Sequence, residues 1–321
     1  MGILASQYLD ARGGPQPCGA DDRSAAQKGL RPLGPYPQLG LLIAICLASS
    51  VQADSYRIAT FSAPLSRDGP GVLLRDVQRG EDAQIAAIQT IVSHIAPDVL
   101  VLTDIDFDLD GFALAAFAAP LDPSYRYSFA LQPNAGISTG LDIDGNGRKG
   151  DARDAQGYGR FAGDGGMAIL SRFPIVDADV TDLSAVLWRD VPGAVLPQLA
   201  GDPFLSAEAQ STLRLSSTGH WIVPIDLPDG PPLALMAFSA TPPVFDGPED
   251  MNGLRNRDEL RLWNIVLEGG FGPPPGSFAV IGNANLDPVA GQGFSAAMAA
   301  FLRHPKLQDP LPNQDTADWP D

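Results

Sequence analysis

Short apolar runs alternate with polar, Gly- and Pro-rich segments after residue 55, and they predict a protein of mixed strands and helices. Runs rich in β-branched residues predict buried strands. These runs cover residues 56–61, 98–102, 166–175, 213–215, 220–225, 233–238 and 278–281. Apolar residues at helical spacing predict helices over residues 81–95, 256–267 and 294–302. Several strands follow one another without a helix, so the pattern indicates an α/β (α+β) protein with mixed sheets.

The first 53 residues have the pattern of a signal peptide. The apolar run over residues 40–48 is too short to span a bilayer, and Lys28 and Arg31 precede it. Small residues at 51–53 suit cleavage after Ala53. We therefore expect an exported protein, periplasmic or secreted, with a mature domain over residues 54–321. The alternative, an uncleaved anchor, requires a longer apolar run.

By its composition, the predicted mature chain is acidic and free of cysteine. Both cysteines, Cys18 and Cys46, precede the predicted cleavage site, so no disulfide is expected. The net charge of −17 argues against strong general affinity for nucleic acid, although bound cations can neutralise an acidic cleft. We expect a monomer without a membrane span after cleavage. With 45% hydrophobic residues, the chain can bury a substantial core.

Three polar residues follow the apolar run of residues 278–281 at alternate positions: Asn283, Asn285 and Asp287. Period-2 alternation would place them on one face at a strand end, where α/β proteins carry their chemistry. An Asn-rich turn that caps the strand is the structural alternative.

A run of aspartates follows the predicted strand of residues 98–102. Asp104, Asp106, Asp108 and Asp110 alternate strictly and would line one face. Several carboxylates together are the ligands that hard cations prefer, so a metal site is one interpretation. The other is a solvated acidic edge.

A third acidic segment resembles the opening of a calcium loop. Oxygen ligands stand at its first, third and fifth positions, namely Asp142, Asp144 and Asn146, and Gly147 stands at the sixth. The twelfth position is Arg153 rather than Glu, although Asp151 and Asp154 are near. An Asp/Gly turn without a cation is the competing interpretation.

Two histidines of the mature chain are candidate chemical groups. His94 lies beside the apolar stripe of a predicted helix and is better explained as a helix-surface residue. His220 precedes Trp221 in a predicted strand. It is either a packed strand residue or a catalytic group.

Taken together, the chain resembles the endonuclease/exonuclease/phosphatase superfamily, in particular exported bacterial members that carry the loop of residues 241–250. The supporting stretches are 57–67, 97–108, 136–161, 166–174, 187–197, 241–263 and 281–288. The resemblance implies a four-layer sandwich of two mixed β-sheets flanked by helices. It also implies Mg²⁺-assisted cleavage of phosphate esters, in which a cation polarises the phosphoryl oxygen and a base activates water.

Several positions depart from the residues that the resemblance implies. Ser62 replaces a metal-binding Asn, and Asp104 replaces a metal-binding Glu. Ser239 stands where a His is expected, and Asn283 replaces the Asp of an Asp-x-Asn motif that retains Asn285. No Ser-Asp-His follows, and we expect one or two C-terminal strands to be missing, which would leave an unpaired sheet edge.

Four hypotheses follow. The first is a divalent-metal phosphoesterase that keeps Asp104 and Asn285 and uses Asp106 or Asp108 as substitute ligands. The second is a catalytically impaired relative that binds a phosphate ester of unknown type. The third is an exported binding protein stabilised by Ca²⁺ in the loop of residues 142–146. The fourth is a decaying copy that folds poorly.

Overall fold

A computed structural model describes residues 2–6 and 55–310 of the chain. It contains eleven strands in the described part: β1 Gly2–Ser6, β2 Ile58–Leu65, β3 Val99–Ile105, β4 Tyr127–Phe129, β5 Gly166–Ser171, β6 Thr181–Asp182, β7 Gln198–Leu199, β8 Asp202–Pro203, β9 Gly219–Ile225, β10 Leu233–Ser239 and β11 Phe278–Asn283. The six α-helices of this part are α1 Val72–Arg79, α2 Ala83–Ile95, α3 Phe112–Ala118, α4 Ala207–Thr212, α5 Met251–Leu267 and α6 Ser295–Leu302.

Two mixed sheets form the centre of the fold. One has the strand order β1-β11-β10-β9-β6 and the other the order β2-β3-β5-β4. The pairs β2–β3 and β10–β11 are parallel, whereas β9–β10 and β3–β5 are antiparallel. The separate pair β7–β8 forms a small hairpin.

The layers follow from the side chains of successive strand residues. In β3, Val99 and Val101 pack into a cluster shared with β9, β10 and β11, which is the interface between the sheets. Leu100 and Leu102 point the other way, into a cluster with α1, α2 and α3. The outer face of β10 and β11 packs against α5 and α6. The predicted arrangement of two mixed sheets between helices is therefore confirmed.

Some predicted elements differ in the structure. Residues 213–215 do not form a strand and contribute only an isolated bridge between Leu187 and Arg214. The strand predicted over residues 166–175 ends at Ser171. Helix α5 begins at Met251 rather than at residue 256, and Met251 and Leu254 in its first turn pack against the core. β2 continues through Pro64, which a strand at a sheet edge tolerates.

The edge beside β11, which was expected to be unpaired in the mature chain, is occupied here by β1, a strand that lies before the predicted cleavage site. β1 lies antiparallel to β11 over its whole length, from Gly2 opposite Asn283 to Ser6 opposite Ala279. The rest of the predicted signal peptide, including both cysteines, lies outside the described residues. None of the helices in residues 55–310 is both long and apolar enough to span a membrane.

Candidate functional site

The parallel strands β2 and β3 end side by side and carry the first group of predicted site residues. Ser62 is exposed and pairs with Thr103 in the ladder, which places it near Asp104 where the two strands end. Asp104 has a left-handed backbone with φ of 62°, which is uncommon for a residue other than glycine. Its carboxylate accepts a hydrogen bond from Ser66 Oγ. Burial and the charge of Asp164 raise its pKa above the usual value.

Asp106 lies beyond the end of β3 and is held by the backbone. One carboxylate oxygen accepts from the Arg67 amide at 2.9 Å and the other from the Gly165 amide at 3.2 Å. Burial is the main cause that raises the pKa of Asp106 to about 6. The side chain thus ties two loops to the strand end, and both of its oxygens are already engaged.

The four aspartates do not share one face, and this prediction was wrong. β3 ends at Ile105, and the left-handed backbone at Asp104 interrupts the strand periodicity. Asp108 instead accepts from the amides of Phe112 and Ala113, each at 2.8 Å, at the start of α3. These bonds satisfy helix donors that would otherwise lack partners.

The second group lies at the ends of β10 and β11. Ser239 and Asn283 are register partners in the parallel ladder. The backbone amide of Asn285 donates to Asn283 Oδ1 at 3.1 Å, and Asn285 Nδ2 donates to the Ala240 carbonyl at 2.8 Å. The structure therefore brings Ser239, Asn283 and Asn285 together. Asp287 does not join them, because its carboxylate accepts the amides of Val289 and Ala290 in the next turn.

The calcium-like loop also brings carboxylates together. Ligand oxygens of Asp142, Asp144 and Asp154 lie within 4.8 Å of one another. The Asn146 amide donates to Asp142 and to Asp144 at 3.1 Å, and Asn146 Nδ2 donates to Asp144 and Asp151. Asp154 completes the group, although the loop pattern alone did not select it. It is buried and accepts from the Ile143 amide at 2.7 Å.

His220 and two residues of α5 form a buried polar network. His220 Nδ1 lies 2.9 Å from Ser216 Oγ, and Nε2 lies 3.0 Å from the Glu259 carbonyl. The Glu259 carboxylate accepts from the amides of Ser217 and Thr241 and from Ser217 Oγ. Burial raises the pKa of Glu259, against the opposing charge of Arg255. The bond from Thr241 to Glu259 holds the segment after β10 in place. Both ring nitrogens of His220 have partners inside the protein, so His220 is a packed strand residue.

Sequence reasoning missed Arg255 and Glu259. Their spacing of four residues places them on one face of a helix. Charged residues inside an otherwise apolar helix face were the signal that could have identified them, because buried charges require partners. Both are buried in the structure.

The sequence model of the Endonuclease/Exonuclease/phosphatase family matches residues 75–320. No curated protein matches significantly. Solved structures that are similar include an endonuclease/exonuclease/phosphatase from Beutenbergia cavernae, with 15% identity, a TM-score of 0.46, and coverage of 77% of this chain and 53% of that chain. This chain thus spans about half the length of that protein.

Two further solved structures have a similar sequence identity and TM-score. Sphingomyelinase C from Streptomyces griseocarneus has 18% identity and a TM-score of 0.43, with coverage of 78% of this chain and 69% of that chain. A mutant of beta toxin from Staphylococcus aureus with bound magnesium ions has 12% identity and a TM-score of 0.40, with coverage of 78% and 70%.

Proposed function

The chain belongs to the endonuclease/exonuclease/phosphatase family, and from this premise we propose that it is an exported phosphoester hydrolase that works slowly with a divalent cation. Asp104 carries the proposal. Its backbone is held in the left-handed region, and its pKa is raised by burial and by Asp164. Strained backbone and a perturbed carboxylate occur together at functional sites more often than elsewhere.

The residues at this strand end fit a hard cation. Ionised carboxylates offer about four lone-pair directions, so the bond from Ser66 leaves Asp104 free to coordinate. Ser62 adds a neighbouring hydroxyl oxygen. Asp106 fits less well, because each of its oxygens accepts a backbone amide. A cation here would polarise the phosphoryl oxygen of a phosphate ester, and Mg²⁺ is the ion that the family implies.

The slow rate follows from two substituted positions at the ends of β10 and β11. Ser239 occupies the position at which the family resemblance implies an imidazole, and Asn283 the position of a carboxylate. General acid–base groups contribute about 10²–10⁴-fold in rate. Asn285 would still orient the substrate, since its amide is fixed by Ala240.

Hydrolysis of bis(4-nitrophenyl) phosphate by the exported chain, with Mg²⁺, Mn²⁺ or Ca²⁺, tests the proposal. We expect cation-dependent turnover that Asp104→Ala abolishes and that the control Asp226→Ala, at an exposed carboxylate, leaves unchanged. Ser239→His should raise the rate by about tenfold or more, because it supplies an imidazole. Binding of the ester without turnover by folded wild-type protein would instead identify a catalytically impaired binding protein.

A calcium-stabilised loop is a second candidate, favoured by the convergence of Asp142, Asp144 and Asp154. Three carboxylates and neighbouring loop oxygens suit Ca²⁺. We expect Ca²⁺ to raise the melting temperature and a chelator to lower it, because a ligand that binds only the folded state stabilises it. Asp144→Asn should reduce this response and Asp226→Asn should not. An unchanged melting temperature would remove the candidate.

A further inference from the structure

A cavity of about 490 Å³ lies between the calcium-like loop and the segment that follows β10. This volume is in the range of small-molecule sites. Its chemically distinctive lining residues are Asp144, Tyr158, Phe204, Phe245, Asp246 and Glu249. The predicted site residues at the strand ends do not line it, so it is separate from the Asp104 group.

Aromatic side chains at this cavity are unusually exposed. Phe245 is 77% exposed and Tyr158 is 65% exposed, which makes them the two most exposed aromatic residues in residues 55–310. Both line the same cavity. Phe245 also has a positive φ of 70°, a backbone conformation that is unfavourable for a bulky residue. The fold therefore holds two exposed aromatic side chains at one cavity, although burial would stabilise them.

The charge around the cavity is mainly negative. Asp144, Asp246 and Glu249 line it. Burial, together with the charges of Asp246 and Glu249, raises the pKa of the adjacent Asp250, as expected in a negative potential.

Two arginines also line the cavity and balance part of this charge. The buried Arg255 guanidinium donates to backbone carbonyls. Arg153 is exposed. The lining residues therefore keep one more negative than positive charge, three carboxylates against two guanidinium groups.

From this lining we propose that the cavity binds an organic ammonium group, with Phe245 and Tyr158 against the cation and the carboxylates around it. Aromatic faces attract cations through the ring quadrupole, and a desolvated cation gains most from this contact. Carboxylates add Coulomb attraction that a neutral ligand of the same shape lacks. This inference does not depend on hydrolysis at Asp104.

The test is a pair of NMR titrations of the full-length protein, with choline and with its neutral isostere 3,3-dimethylbutan-1-ol. The two probes share one shape and differ in charge. We expect choline to bind about tenfold more tightly, since the aromatic and carboxylate contacts both favour the cation. Phe245→Ala and Tyr158→Ala should each weaken choline binding by about 3- to 30-fold.

Phe112→Ala is the matched control, because Phe112 is an aromatic residue that is 59% exposed and does not line the cavity. It should bind choline as the wild type does, and thermal unfolding should show that all three variants are folded. Equal binding of the two probes would overturn the proposal, as would binding that neither cavity substitution weakens. Absence of choline binding would overturn it as well.

Discussion

At the scale of single residues, His220 illustrates how burial decides the role of a reactive side chain. The imidazole is completely enclosed, contacts Ser216 and the Glu259 carbonyl, and packs against Phe238 and Trp263. Burial lowers its pKa from 6.5 to about 4. The ring is therefore neutral at physiological pH and stabilises the fold.

This lowered pKa predicts a loss of stability in acid. The unfolded chain binds a proton on His220 below about pH 6.5, whereas the folded chain does so only near pH 4. Stability is thus fully present above pH 6.5 and falls as the pH decreases toward 4, by about 2 kcal/mol at pH 5. Urea unfolding at pH 7.5 and pH 5 measures this loss.

The control is His220→Gln, which removes the titrating group. It should be less stable at pH 7.5 but should lose about 2 kcal/mol less on acidification than the wild type. Asp106 changes the free energy of unfolding with pH in the opposite direction, since its raised pKa makes the fold less stable as the pH rises from about 4 to 6. Because both proteins contain Asp106, its effect cancels in the comparison. An equal acid loss in both proteins would contradict the prediction.

At the scale of elements, the ladder between β10 and β11 positions the second group of site residues. Gly282 precedes Asn283, has a φ of 138°, and lies opposite Phe238. A Cβ atom at this position would come within 1.9 Å of the Phe238 carbonyl oxygen. The glycine therefore permits the close strand approach that sets Asn283 beside Ser239.

Gly282→Ala should consequently destabilise the protein by about 3 kcal/mol or more, through the steric clash and the unfavourable φ. Gly276→Ala is the matched control, because a Cβ atom there meets no neighbour and its φ is not in the left-handed region. Denaturant midpoints of the two variants provide the measurement. Equal midpoints would show that the ladder can relax around the methyl group.

The start of α2 offers a second test at this scale. Asp82 accepts from the amides of Gln84 at 2.8 Å and Ile85 at 3.1 Å. These bonds and its contact with Arg67 lower the pKa of Asp82. Asp82→Ala should cost about 1 kcal/mol in unfolding free energy, whereas Asp82→Asn, which keeps the cap, should cost less. Similar losses in both variants would point to the ion pair with Arg67 instead.

At the scale of the whole molecule, the proposed export determines which residues the working protein retains. Cleavage after Ala53 would remove β1, the strand that pairs with β11. We expect secreted or periplasmic protein to begin at Asp54, which N-terminal sequencing and intact mass can establish. Protein found in the cytoplasm with Met1 or Gly2 at its start would contradict the export proposal.

The strands that are buried on both faces could be predicted well. Residues 98–102, 233–238 and 278–281 are continuous apolar runs because each strand packs on the other sheet and on helices. Short elements such as α1, β4 and β6 were missed, since they bury few side chains and leave little periodicity. The roles of Asp106 and Asp108 were also not predictable, because backbone amides brought near by the fold decide what a carboxylate binds.

The hydrophobic pattern of the sequence thus predicted mixed strands and helices, and the order of its motifs showed the resemblance to the family, which implied the two-sheet architecture and the site residues at the strand ends. Tertiary structure alone decided which polar groups meet. The amides of Arg67 and Gly165 meet the Asp106 carboxylate through chain reversals that no local pattern encodes. The cavity between Tyr158 and Phe245 likewise arises only where loops 87 positions apart converge, since exposure and charge at a surface depend on the packing beneath it.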